Sequence, residues 1–129
     1  MEHDTLARAL SLIKNAGVRG KAEVVLKPAS RVIRQVLDIL QKEAYIKSYE
    51  FTEDKRGGAL KVQLAAAINN IGAIKPRYPI TLSEYEKFEA RYLPAKDFGR
   101  LIVSTSKGVM THIDAKEKKL GGTLFAFVY

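Results

Sequence analysis

Three consecutive hydroxyl residues, Ser104, Thr105 and Ser106, run directly into Lys107 and Gly108. A hydroxyl both donates and accepts hydrogen bonds, so this run suits base edges, ribose 2′-OH groups and phosphate oxygens alike. Lys107 supplies a counter-charge for phosphate, and Gly108 lets the backbone come close to a ligand. Lys14 with Asn15, Ser30 with Arg31, and Arg77 with Tyr78 offer further groups of the same kind, a tyrosine ring being able to stack on an unpaired base. The residues that could instead support hydrolysis are few. Glu53 and Asp54 are paired carboxylates beside Lys55 and Arg56, and His112 has Asp114 and Ser106 near it in sequence. Solvated turn chemistry is the ordinary explanation of the carboxylate pair, and His112 is expected on the surface, in the first turn of a short helix. The nucleotide-binding, zinc-protease and nucleophile-elbow patterns are absent.

Composition narrows the partners. The chain has 129 residues, the size of one ordinary domain or two very small ones. Its 22 Lys and Arg against 14 Asp and Glu give +8. Each half carries an equal surplus, with a local excess at Lys14, Arg19, Lys21, Lys27, Arg31 and Arg34 against the single acid Glu23. Such a surface attracts polyanions, because each neutralised phosphate releases a condensed counterion. Apolar residues make up 47%, enough for a core, so a disordered basic tail is excluded. With no cysteine there is no disulfide scaffold, thiolate nucleophile or iron–sulfur cluster, and two histidines make a metal site unexpected; no cofactor is expected. No apolar run approaches the ~18 to 20 residues that span a bilayer, and MEHDTLARAL does not read as a signal peptide. A soluble, cytoplasmic protein with no membrane partner is the expectation.

The elements that position these residues follow from periodicity. Leu6, Ala9, Leu10 and Ile13 form one stripe of a helix over about residues 5–16, with Asp4 as N-cap and Gly17 as its C′ residue. Lys21–Lys27 reads as a strand, and Ser30 can cap a second helix over 31–43 whose buried face is Ile33, Val36, Leu37 and Leu40. Tyr45–Thr52 and Leu60–Ala66 read as strands joined by the polar turn Glu53–Gly58. This predicts an α-β-α-β-β two-layer unit over residues 1–68. Gly72, Pro76 and Pro79 allow no long helix across 69–80. Residues 69–129 are expected to form a mostly β unit with short helices and to carry the hydroxyl run, giving an α+β protein of two small domains. In it Ser83 caps a helix over 84–91, Arg100–Ser104 is a strand, Thr111 opens a helix ending at Gly121-Gly122, and Thr123–Tyr129 is a last strand.

Residues 103–122, VSTSKGVMTHIDAKEKKLGG, resemble the C-terminal signature of the universal small-subunit ribosomal protein S-eight family. Leu12–Ala16 and Lys27–Arg31 agree with its N-terminal half, and Ala73–Pro79 and Tyr92–Ala95 are similar to its archaeal and eukaryotic branch, archaeal above all. The resemblance covers essentially the whole chain. It implies a non-enzymatic primary binder of the central domain of small-subunit rRNA, placed in the cytoplasmic ribosome, where it helps assemble the platform beside neighbouring small-subunit proteins, and a monomer when free. It implies RNA contacts for Lys14, Asn15, Ser30, Arg31, Ser104, Thr105, Ser106, Lys107 and Gly108. The chain departs from the bacterial pattern at His112 and Thr123, and the bacterial members' repressor role on their own mRNA is not carried over. The alternative from another class is a small RNA-processing nuclease using Glu53, Asp54 or His112.

Overall fold

The computed structural model describes residues 5–75, 77–95 and 98–129. The chain forms two compact units, the first ending at Ile68 and the second beginning at Asn69.

The first unit runs α1 (Thr5–Val18), β1 (Glu23–Leu26), α2 (Arg31–Lys42), β2 (Ile46–Thr52) and β3 (Ala59–Leu64). β3 lies between β1 and β2 and pairs with both antiparallel. Along β3 the side chains alternate, burying Leu60, Val62 and Leu64 and exposing Lys61, so the sheet has one covered face. The expected helical stripes do bury: Leu6, Ala9, Leu10 and Ile13 from α1, and Ile33, Val36, Leu37 and Leu40 from α2. Asp4, expected as the N-cap of α1, lies outside the described residues.

The helix ends depart from expectation. Gly17 stays within α1, and Gly20 takes the left-handed C′ position at φ 70°. Lys21 N–H donates to the Ala16 carbonyl at 2.9 Å and Gly20 N–H to that of Gly17 at 3.1 Å, the paired bonds of a Schellman motif. α2 ends the same way, Tyr45 N–H reaching Leu40 and Ala44 N–H reaching Gln41, but here a residue with a Cβ, Ala44, holds φ 66°. Ala44→Gly is therefore expected to stabilise the protein by about 0.5–1 kcal/mol, since relief of the left-handed strain exceeds the added entropy of the unfolded chain. A thermal melt should show the midpoint rising by a few degrees, and an unchanged or lower midpoint contradicts this.

The second unit runs β4 (Ile71–Ala73), β5 (Pro79–Ile80), a 3-10 turn (Leu82–Glu84), α3 (Tyr85–Tyr92), β6 (Arg100–Thr105), β7 (Gly108–Thr111), α4 (His112–Glu117) and β8 (Gly122–Val128). The sheet order is β4-β8-β6-β7, with β5 also pairing β8, all antiparallel. One face of this sheet packs Leu101, Val103, Met110 and Leu124 against Ile74, Ile80, Tyr85, Phe88, Leu93 and Ala115. The phenol of Tyr85, buried with its ring, donates to the Leu120 carbonyl at 2.8 Å.

Three expectations are corrected here. β4, β5 and β7 were not legible as strands, two being only two or three residues long. Thr81 rather than Ser83 precedes the helical turn, its N–H donating to Glu84 Oε1 at 2.9 Å. α4 stops at Glu117, where a Schellman pair and Lys119 at φ 57° turn the chain, so Gly121 precedes β8 and Gly122 begins it.

Candidate nucleic-acid interface

The hydroxyl run is a β-hairpin, not the expected loop between strand and helix. β6 pairs with β7 through Thr105 and Gly108, leaving Ser106 and Lys107 as a two-residue turn. Gly108 holds φ 112°, which a side chain would strain. Thr105 staples the turn: its hydroxyl donates to the Gly108 carbonyl at 2.9 Å and accepts from Lys107 N–H at 3.1 Å. The three hydroxyls are therefore not equivalent. Thr105 is spent on the hairpin, Ser104 is half-buried in the strand, and Ser106 and Lys107 are exposed at the tip. Thr111 and His112, at the start of the helix that follows β7, are buried.

In the first unit, Ser30 caps α2, its Oγ accepting from Ile33 N–H at 3.2 Å. The cap uses an oxygen lone pair and leaves the hydroxyl proton free to donate outward. Arg31, beside it, is exposed. Folding brings a further group to this place: Ala29 N–H lies 3.2 Å from the carbonyls of both Gly57 and Gly58, and Lys27 Nζ lies 4.0 Å from Asp54 Oδ2. The turn carrying Lys55 and Arg56 thus sits beside Lys27–Arg31, and all four cations are exposed. Sequence reading missed Lys27, Lys55 and Arg56. The charge of each was visible, but the adjacency is a tertiary fact.

Lys14 and Asn15, both exposed, are not part of that group. They lie on the end of α1 that leads into β1, whereas Ser30 and Arg31 follow the far end of β1, about 13 Å of strand away. Tyr78 is half-buried, and Arg77 is exposed but lies over a ring. The Arg77 guanidinium lies 4.5 Å over the Phe125 ring, and Tyr78 packs 5.7 Å from Phe88 beside the core.

Asp54 and His112, two of the three residues suited to hydrolysis, hold structure instead. Asp54 Oδ1 accepts from Arg56 N–H and Gly58 N–H, each at 2.9 Å, and these donors hold its carboxyl below the ordinary carboxylate range. Glu53 next to it is exposed. His112, expected on the surface, is 1% exposed. Its Nδ1 accepts from Leu101 N–H at 3.0 Å, and its Nε2 faces Glu89 Oε1 at 3.4 Å. Glu89 in turn binds Lys116 Nζ at 2.8 Å. Burial pushes the imidazole pKa down, outweighing the upward pull of Glu89, and Lys116 and Arg100 add to the lowering. Among the described residues no group of three or more His, Asp or Glu is arranged to hold a metal ion, and no helix is long and apolar enough to cross a membrane.

Exposed cations and an outward hydroxyl hairpin give this α+β protein a polar, positively charged surface. The profile of the family described as Ribosomal protein S8 matches residues 4–129, and the chain belongs to that family. It is similar, over 100% of both chains, to the small ribosomal subunit protein uS8 of Thermoplasma acidophilum, at 49% identity across 129 residues. It is likewise similar to the small ribosomal subunit protein uS8 of Archaeoglobus fulgidus, at 50% identity over the full length of both. The family membership read from the signature at 103–122, and its archaeal type read from residues 73–79 and 92–95, therefore hold.

Proposed function

We propose that this protein is a non-enzymatic constituent of the small ribosomal subunit that binds small-subunit rRNA, in its central domain, beside neighbouring ribosomal proteins in the cytoplasmic ribosome. Full-length similarity to proteins that carry the small-subunit name is the observation that carries this reading. The exposed chemistry supports it. The Ser106–Lys107 tip of the β6–β7 hairpin is narrow, polar and cationic. It suits an irregular RNA helix, where base edges and 2′-OH groups are open, better than a regular A-form duplex with a deep, narrow major groove. Lys27, Arg31, Lys55 and Arg56 supply phosphate contacts and hence the salt-sensitive part of the affinity. The Ser30 hydroxyl donates to a phosphate while its oxygen caps α2. Ser104 and Gly108 shape the hairpin backbone, Thr105 locks it, and Lys14 and Asn15 form a second, separate polar patch. The free protein is a monomer in this reading.

The division of labour is tested by binding to a central-domain rRNA fragment and to a plain duplex of equal length, across salt concentrations. Lys107→Ala should weaken both and lower the log–log salt slope by about one. Ser106→Ala should reduce the preference for the rRNA fragment while leaving duplex binding unchanged. Equal affinity of the unmodified protein for the two RNAs overturns the proposal.

A further inference from the structure

β1 is an edge strand: β3 pairs with one side of it, and no described strand pairs with the other. Beside that edge lies a groove of about 270 Å³, lined by Leu12, Asn15 and Arg19 of α1 and by Glu23, Val24 and Val25 of β1. Three of the protein's exposed large apolar residues gather at this end of the first unit: Leu12 at 38%, Val25 at 47% and Val18 at 79% exposed. Arg19 and Lys21 supply positive charge along it, while its one acid, Glu23, is held by Lys61 at 3.4 Å.

We propose that this groove docks an extended, acidic and apolar peptide segment of a neighbouring protein, added as a further strand on the outer edge of β1. Each feature fits that occupant. An unpaired strand edge offers main-chain N–H and C=O groups in ladder register, which a peptide backbone can use and a nucleic acid cannot. In an added strand, alternate side chains point to opposite faces, so apolar residues on the helix-covered side would meet Leu12 and Val24 while acidic residues approach Arg19 and Lys21. Among the described residues no aromatic ring lines the groove for base stacking, which separates this surface from one built for unpaired bases. The groove shares no residue with the hairpin tip or with the group of Lys27, Arg31, Lys55 and Arg56.

The test uses the full ¹⁵N-labelled chain and three probes: a short peptide alternating Glu and Val, its Glu–Ser counterpart of equal charge, and a small-subunit rRNA fragment. The Glu–Val peptide should slow hydrogen exchange at those amides of Glu23–Leu26 not already bonded to β3, and should shift the signals of Leu12 and Arg19. Arg19→Glu and Leu12→Asp should each weaken it about tenfold, the loss expected for one interfacial contact of this kind. Both sites are exposed, so the chain should stay folded with its melting midpoint little changed. Equal binding of the Glu–Ser peptide, peptide binding without new protection on β1, or protection of β1 by the rRNA fragment in place of the peptide would each overturn the proposal. Failure of rRNA binding alone would count against the ribosomal reading and leave this one standing.

Discussion

Gly122→Ala is expected to destabilise the protein by about 3–5 kcal/mol, a large share of the 5–15 kcal/mol that holds an ordinary domain together. The reason is space, not backbone freedom. A Cβ at Gly122 would overlap the Ser104 carbonyl and lie 3.1 Å from Val103 Cγ1. The carbonyl belongs to the β6 backbone and cannot swing aside without breaking the ladder in which Ser104 opposes Thr123. Gly122 also opposes Ile80 of β5, so β8 is hemmed in from both sides at this point. Gly108→Ala makes the informative control. It holds φ 112° but has nothing within 4 Å of an added Cβ, so it should cost only the left-handed strain of about 1–2 kcal/mol. Thermal or urea unfolding of the two variants should show the Gly122 protein losing clearly more. Equal losses would mean that β8 and β6 do not approach as closely as described. Because Ser104 starts the hydroxyl hairpin, Gly122→Ala should also weaken rRNA binding, whereas substitution at Lys107 should do so without loss of stability.

The second large effect belongs to His112. Removing its ring with His112→Ala takes the acceptor from Leu101 N–H, leaves Glu89 facing a cavity, and is expected to cost about 3 kcal/mol. His112→Asn places an amide oxygen near the position of Nδ1 and should recover part of this. The pH dependence separates a buried neutral histidine from mere packing. Burial depresses the folded-state pKa, so the unfolded chain takes up the proton first as pH falls. Stability from His112 is thus fully present above its unfolded pKa, near 6.5, and declines below it by about 1.4 kcal/mol per pH unit until the folded-state pKa is reached. Urea unfolding between pH 7.5 and 5 should show this slope in the parent and lack it in His112→Asn. The chain's other histidine is present in both proteins and cancels in the comparison. A slope that survives the substitution, or a parent that gains stability on acidification, contradicts the assignment.

The same histidine shows where reading the chain alone runs out. His112 follows Thr111 at the opening of a capped helix, and Thr111 Oγ1 does accept from Asp114 N–H at 3.2 Å. Local chemistry thus led to the right helix start. Whether that first turn faces water depends on β6, eleven residues earlier, whose Leu101 N–H is satisfied by the ring. The hydroxyl run has the same character: the residue types were legible, but the pairing of Thr105 with Gly108 decides that one hydroxyl turns inward and another sits at the tip.

What the amino-acid order settled by itself is whatever repeats within a few residues. The 3.6-residue stripes of α1 and α2, the alternation along β3, the polar turn before Gly57 and Gly58, and the family signature through 103–122 all lie in short windows, because helix and strand periods are local. Tertiary structure alone decided which distant segments touch: the turn of Lys55 and Arg56 against Ala29, the Gly122 backbone against Ser104, and Glu89 against His112. These contacts follow strand register and the closure of two separate cores, and a one-residue slip in register would reassign every one of them. No window of sequence contains that information.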